Sequence, residues 1–152
     1  MADPSTLKDT IVADMKSAMK NGDKDRLATI RLILAAVKQV EVDTRSDVSD
    51  DDLISILDKM CKQRRESISQ FEQAGRDDLA AKEKSELAII LEYLPAALSD
   101  DEIAELIEKA INQTSASSMK DMGAVMSILK PQLQGRADMS VVSKHIKSKL
   151  AN

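Results

Sequence analysis

Apolar residues recur every three or four positions along most of this chain, which is the spacing of one face of an α-helix. The first such face follows Ser5 and ends at Asn21-Gly22, a pair that stops helices. A second helix then begins at a cap on Asp23 and ends in the acidic stretch near Asp43. Because no stretch alternates with the period of a strand, we predict an all-α, multihelical fold. The residues expected to be buried on these two helices are Leu7, Ile11, Met15, Ala18, Leu27, Ile30, Ile33, Leu34 and Val37.

The third and fourth helices are predicted to form a long antiparallel hairpin. The third helix follows a polar linker, takes Ser49 as its cap and runs to Gly75. The fourth begins almost at once, at about Asp77, and continues to Leu94, where Pro95 ends it. Because the intervening turn is so short, the two helices must pack side by side in opposite directions.

Two charged residues interrupt the apolar faces of this hairpin. Arg64 lies within the apolar stripe of the third helix, about 20° from Leu57 on a helical wheel. Glu83 lies in the same way on the fourth helix. Buried charges are normally paired, so we predict ion pairs across the hairpin. The alternative is that Lys62, Arg64 and Arg65 bind phosphate. The residues expected to form the ion pairs are Arg64, Arg65, Glu83 and Glu86.

The C-terminal part is predicted to be a smaller unit of three helices. The break after Pro95 separates it from the rest of the chain and suggests domains at 1–96 and 97–152. Its first helix opens with Ser99 and Glu102, the two residues of a capping box. We expect the second helix to follow a cap on Ser118 and to end at Lys130-Pro131. A turn at 135–138 then leads into a last helix capped by Asp138.

Gly123 is an unexpected residue inside the second of these three helices. Glycine in a helix interior costs about 1 kcal/mol relative to alanine. We therefore expect a neighbouring helix or a ligand to approach the backbone closely at this position.

Charge is divided unevenly along the chain. Residues 115–152 contain six Lys or Arg and two Asp, a net of +4, whereas the whole chain carries −4. Such an asymmetry points to a polyanionic partner for the basic end. The alternative is the ordinary enrichment of cations near helix C-termini. The candidate RNA-binding residues are Lys120, Lys130, Arg136, Lys144 and Lys147.

The sequence motifs do not predict a self-contained active site. There is no glycine-rich phosphate loop, no nucleophile elbow and no metal-ligand spacing, so we expect no catalytic residue, cofactor or metal. A dyad of Cys61 with His145 is conceivable, but Cys61 falls on an apolar stripe and should be buried, and His145 should lie on the surface.

Two features bear on the location of the protein. The longest apolar run, Leu32 to Val37, is too short to span a bilayer. The Met-Ala-Asp-Pro start has neither the basic nor the apolar region of a signal peptide. We therefore expect a cytosolic protein without membrane contact.

Segments along nearly the whole chain resemble one known family. They are Asp25-Arg26-Leu27, Ile30-Arg31, Ala36–Asp43, Gln63–Ile68, Phe71, Ala74–Arg76, Asp78-Leu79, Glu83, Glu86, Tyr93–Pro95, Ser117–Gly123, Leu129–Pro131 and Gly135–Asp138. With these segments the chain resembles the YqeY-like family. Through that family it is similar to the C-terminal tail region of the B subunit of glutamine-dependent aspartyl/glutamyl-tRNA amidotransferase.

The resemblance implies a two-part helical fold and a role in tRNA-dependent chemistry. In the amidotransferase this region touches tRNA, while other domains convert misacylated Glu-tRNA(Gln) or Asp-tRNA(Asn) to the amide. The family label is accordingly carbon–nitrogen ligase with glutamine as amide donor. A chain of 152 residues has no room for those other domains. We therefore expect a stand-alone tRNA-binding module, accessory to an amidotransferase or aminoacyl-tRNA synthetase assembly.

The composition limits how such a module can bind RNA. Phe71 and Tyr93 are the only aromatic residues, so stacking on single-stranded bases is not expected. We expect instead contacts to the phosphate backbone of a folded RNA. The acidic N-terminal part should keep the affinity for duplex DNA low. The alternative is a protein-interaction adaptor, in which the acidic hairpin docks a partner and the basic end is only solvated.

Overall fold

A computed structural model describes residues 6–151, and these form seven α-helices and one 3-10 turn, with no β-strand among them. The all-α prediction is confirmed. The expectations for Met-Ala-Asp-Pro, for Ser5 and for the outer ends of both domains fall outside the described residues. The helices are α1 (Leu7–Asn21), α2 (Lys24–Thr44), α3 (Asp50–Gln73), α4 (Asp77–Leu91), α5 (Asp100–Thr114), α6 (Met122–Leu133) and α7 (Met139–Leu150).

The chain divides into two compact units, with the boundary between Leu94 and Pro95. In the first unit, α1 to α4 enclose one apolar core. Helix starts follow the sequence closely: the side chain of Asp23 accepts a hydrogen bond from the Arg26 N–H (3.2 Å) and that of Ser49 from the Asp52 N–H (3.1 Å). The buried core residues are Ile11, Ala18, Ile30, Ile33, Val37, Leu53, Leu57, Met60, Cys61 and Ile90.

Only the first half of α3 belongs to this core. Its apolar stripe is buried as far as Cys61, whereas Ile68 and Phe71 are only partly buried and lie outside the core cluster. Beyond Cys61, α3 packs on α4, with which it shares its most extensive contacts. After the turn at Gly75 (φ +71°), α4 stops at Leu91, three residues before the predicted end. The last residues before Pro95 instead form a turn whose N–H groups bond three residues back.

One partly buried ion pair crosses the hairpin. The Nε of Arg64 lies 3.2 Å from the Oε2 of Glu86, and the two side chains are only 13% and 16% exposed. Arg64 also donates to the carbonyl of Met60 (3.4 Å), so its charge has a second acceptor. Of the four residues expected to pair, these two meet in the interior. Arg65 is exposed and Glu83 is half-buried.

In the second unit, α5, α6 and α7 enclose a separate core. A 3-10 turn, Met119–Asp121, precedes α6, so α6 begins at Met122 rather than directly after Ser118. Asp138 caps α7 as predicted, since its carboxylate accepts from the Ser140 N–H (3.0 Å). The buried residues of this core are Ile107, Ala110, Val125, Leu129, Leu133, Val142, Ile146 and Leu150.

The expected end of α6 at Pro131 is wrong, and so is the neighbouring helix expected at Gly123, whereas a ligand at Gly123 stays a prediction. Pro131 does not end the helix, which continues to Leu133. Leu133 is fully buried, and its packing holds the extra turn. Pro131 has no N–H to donate to the carbonyl of Ser127, and both residues are exposed, so this side of α6 is open to solvent. Gly123 is not packed against a neighbouring helix either: it is exposed, and an added Cβ would meet no heavy atom within 4 Å.

Candidate nucleic-acid interface

The second unit separates its charges between helices. The α5 helix carries five exposed Asp or Glu and one Lys, whereas the rest of the unit carries six Lys or Arg and two Asp. The acidic residues lie at the start and along the outer side of α5, because Ile107 and Ala110 face the core. The unit as a whole is therefore neutral, and a polyanion would meet favourable charge only on the side formed by α6, α7 and the turns next to them.

Lys120 lies on the 3-10 turn before α6, and hydrogen bonds to Asp121 hold this turn in place. The Asp121 carboxylate accepts hydrogen bonds from the N–H groups of Ser117 (2.9 Å) and Ser118 (3.3 Å), which fixes the chain on both sides of the exposed Lys120 side chain. The first turn of α6, with the open backbone at Gly123, follows directly. Because Asp121 offsets the positive end of the helix dipole, attraction for phosphate here rests mainly on Lys120.

Lys130 and Arg136 lie at the opposite end of α6 and have different surroundings. Lys130 is exposed in the last turn of the helix. Arg136 is only partly exposed, and its Nε donates to the carbonyl of Ala96 (3.0 Å). Its own carbonyl accepts from the Leu98 N–H (3.0 Å). Arg136 thus ties the segment before α5 to the α6–α7 turn, a structural role that the sequence did not reveal.

The lysines of α7 lie away from its buried face. Val142, Ile146 and Leu150 face the core, and Lys144, Lys147 and Lys149 are exposed. Lys144 and Lys147 are three residues apart and so occupy the same side of the helix, about one turn from each other. His145 is also exposed, as expected.

The predicted residues therefore fall into three groups. Lys144 and Lys147 form one, on α7. Lys130 and Arg136 form another, at the C-terminal end of α6. Lys120 stands apart on the 3-10 turn before α6, and the helix axis rises about 12 Å between Met122 and Lys130 alone, at 1.5 Å per residue. Spacings of this kind suit several separate phosphate contacts rather than one small anion.

Other kinds of chemistry find little support in the described chain. Cys61 is fully buried in the first core, as predicted, and burial raises the pKa of its thiol, so it is neither accessible nor readily ionised. Within residues 6–151, no three His, Cys, Asp or Glu side chains form a group that could hold a metal ion. None of the described helices is long and apolar enough to cross a membrane.

Comparison with known proteins decides the family. The profile of the YqeY-like proteins matches residues 8–150. The chain belongs to the YqeY-like family. Its domain is related to the C-terminal region of the amidotransferase B subunit, in agreement with the resemblance seen in the sequence.

Several fungal relatives carry the name altered inheritance of mitochondria protein 41, mitochondrial. That of Pyrenophora tritici-repentis is 33% identical over 88% of this chain and 75% of its own length. That of Vanderwaltozyma polyspora is 32% identical over 91% of this chain and 79% of its own length. That of Clavispora lusitaniae is 35% identical over 84% and 76%. These names contradict the cytosolic location expected from the sequence, since they place the relatives in mitochondria.

Proposed function

We propose that this YqeY-like protein is a tRNA-binding module that uses the exposed cations of α6, α7 and the preceding 3-10 turn. The observation that carries the proposal is the separation of charge within the second unit, where Lys120, Lys130, Lys144 and Lys147 all reach solvent. The relation of the domain to the tail of a tRNA-dependent amidotransferase supports tRNA as the polyanion. The module works as an accessory to amidotransferase-type or aminoacyl-tRNA synthetase assemblies and does not itself carry out the ligase chemistry.

The separation of the cations sets the mode of binding. Phosphate contacts from side chains spread along two helices fit the backbone of a folded RNA, whose phosphates are themselves spread over a fixed shape. With about three or four such contacts, the logarithm of the binding constant should fall with the logarithm of the salt concentration with a slope of about three or four, which we call the salt slope. Binding should therefore be weak near physiological ionic strength. Weak binding suits a module that acts beside a larger enzyme.

The test is fluorescence anisotropy with labelled tRNA at several salt concentrations. The variant Lys120→Ala/Lys130→Ala/Lys144→Ala should lose most of the affinity. Its salt slope should also fall by about three, because each lysine that binds a phosphate releases about one counterion from the RNA. Arg136 is left unchanged, since its contact with Ala96 is structural. Duplex DNA should compete poorly, because the spread cations are expected to follow the shape of a folded RNA.

A matched control separates local contacts from overall charge. Lys16→Ala/Lys20→Ala/Lys82→Ala removes the same charge from exposed positions of α1 and α4 and should bind tRNA nearly as the wild type does. If the two triple variants bind equally, or if the wild type does not bind even at low salt, the tRNA proposal is wrong and the adaptor alternative gains ground.

A further inference from the structure

The outer side of α2 presents a second apolar face that the fold does not use. We call it the α2 stripe. Leu32 is 45% exposed and Val42 is 59% exposed, which places both among the large hydrophobic residues left open to solvent. The opposite side of α2 already supplies the core of the first unit. The stripe consists of the exposed residues Ala28, Leu32, Ala35, Gln39 and Val42. Gln39 is its one polar member, and its amide donates to the Oδ1 of Asp43 (2.9 Å).

The spacing of the α2 stripe is that of a coiled-coil seam. Its members are separated by four, three, four and three positions, the alternation of d and a sites in a heptad repeat. This pattern keeps all five on one line along about four helical turns. The occupant that fits a seam of this length is another α-helix.

A row of cations borders the α2 stripe on one edge. Lys24, Arg31 and Lys38 recur every seven residues, and all three are exposed. In the part of the chain that the structure describes, none of them has a carboxylate within 4.0 Å. Acidic residues of this outer side, Asp25 and Asp43, stand only at its two ends. The row is thus an unpaired positive edge in a chain of net charge −4.

The same row argues against a second copy of this chain as the occupant. In an antiparallel pair of α2 helices, equivalent flanking positions face each other, so Arg31 would meet Arg31 and Lys24 would meet Lys38. A parallel pair would set the row opposite Thr29, Ala36 and Asp43, of which only Asp43 is acidic. Like charges disfavour the antiparallel pair, and the parallel pair would leave Lys24 and Arg31 without acidic partners.

We propose that the α2 stripe and its basic row bind an amphipathic helix of another protein, whose apolar seam is flanked by Asp or Glu residues. Leu32, Ala35 and Val42 would pack against its seam, and Arg31 and Lys38 would pair with its carboxylates. RNA could use the cations but would leave the apolar stripe exposed, so a protein helix accounts for both features. This inference does not rest on tRNA binding, because it concerns α2 and not α6 or α7.

The probe is a pair of synthetic 21-residue peptides with Leu at a and d positions. One carries Glu and the other Lys at the e and g positions, so that like charge limits the self-association of each. The wild-type protein should bind the Glu peptide and not the Lys peptide. Arg31→Glu/Lys38→Glu should weaken binding of the Glu peptide about tenfold or more and should create binding of the Lys peptide. Lys16→Glu/Lys20→Glu, with the same change of charge on α1, should behave as the wild type.

Four peptide-binding results would overturn the inference. The first two are equal binding of the two peptides by the wild type and failure of the Glu peptide to bind at millimolar concentration. The other two concern variants: a loss of Glu-peptide binding in the α1 control as large as in the α2 variant, and unchanged Glu-peptide binding by Leu32→Ser/Val42→Ser. Light scattering should report a monomer, since a dimer broken by the α2 variants would identify a second copy as the occupant. If Arg31→Glu/Lys38→Glu abolishes tRNA binding while leaving peptide binding intact, the row is an RNA contact instead.

Discussion

Arg64 and Glu86 carry opposite charges into the interior of the α3–α4 hairpin, just beyond the point where α3 leaves the main core. Their side chains are 13% and 16% exposed, and the atoms Nε and Oε2 lie 3.2 Å apart. Each charge has lost most of its contact with water, so each depends on the other. The pair also ties α3 to α4 at this point of the hairpin.

Replacing one partner should therefore be costly. We expect Arg64→Met or Glu86→Leu alone to lower the free energy of unfolding by about 3 kcal/mol, whereas the double variant should recover most of the loss, because it buries no unpaired charge. Urea unfolding of the four proteins measures this. Lys84→Met, which breaks the exposed pair with Glu72, serves as the control and should cost less than about 1 kcal/mol. Additive losses in the double variant would contradict an interior pair.

At the scale of elements, Glu41 joins three segments of the first unit. Its carboxylate on α2 accepts from the Nζ of Lys8 on α1 (2.9 Å) and from the N–H of Val48 in the α2–α3 linker (3.3 Å). The hydrogen bond from Lys8, followed by that from Val48, lowers the pKa of Glu41, and burial opposes them in part. The Glu41 side chain is only 14% exposed, so its hydrogen bonds are partly shielded from competing water.

These hydrogen bonds of Glu41 should make part of the stability of the protein depend on pH. Because the pKa of Glu41 is lower in the folded than in the unfolded protein, its contribution is complete above the unfolded value, about 4.3, and is lost as the pH falls through the folded value. Glu41→Gln should thus be less stable than the wild type at pH 7, and the difference should shrink below about pH 4. Thermal melts across this range measure it, with the exposed Glu105→Gln as control. A difference that stays constant down to pH 3 would show that the pKa shift plays no part.

For the whole molecule, the main feature is that each unit has its own core. Eight buried residues from α5, α6 and α7 form the second cluster, and Arg136 closes it by holding Ala96 and Leu98. A core of this size is near the lower limit for independent folding.

We predict that residues 95–152, expressed alone, fold into a helical domain with a cooperative but low-temperature thermal transition. Circular dichroism during heating tests this. The same fragment with Ile107→Asp, which buries a charge in the core, should be unfolded at all temperatures. A fragment that shows only coil signal would mean that the division at Leu94 is not a domain boundary.

Local pattern in the sequence determined where the helices lie. The caps at Asp23, Ser49 and Asp138, the glycine turns at Gly22 and Gly75, and the helical spacing of apolar residues act over one or two turns, and each sits where it was predicted. The buried position of Cys61 and the exposure of the lysines in the C-terminal part followed from the same spacing. The family, too, could be named from these segments, whereas the tRNA-binding role stays a prediction.

Tertiary contacts decided what local pattern could not. Leu133 keeps α6 helical past Pro131 because it is buried by neighbours distant in sequence. Ile68 and Phe71 stay partly exposed because they lie outside the core that the described helices of the first unit enclose. Arg136 became a structural anchor only when the fold brought the carbonyl of Ala96 to it, forty residues away along the chain. The open side of α2 is also a property of the assembled unit, since helical spacing identifies two apolar faces but not which one the core will cover.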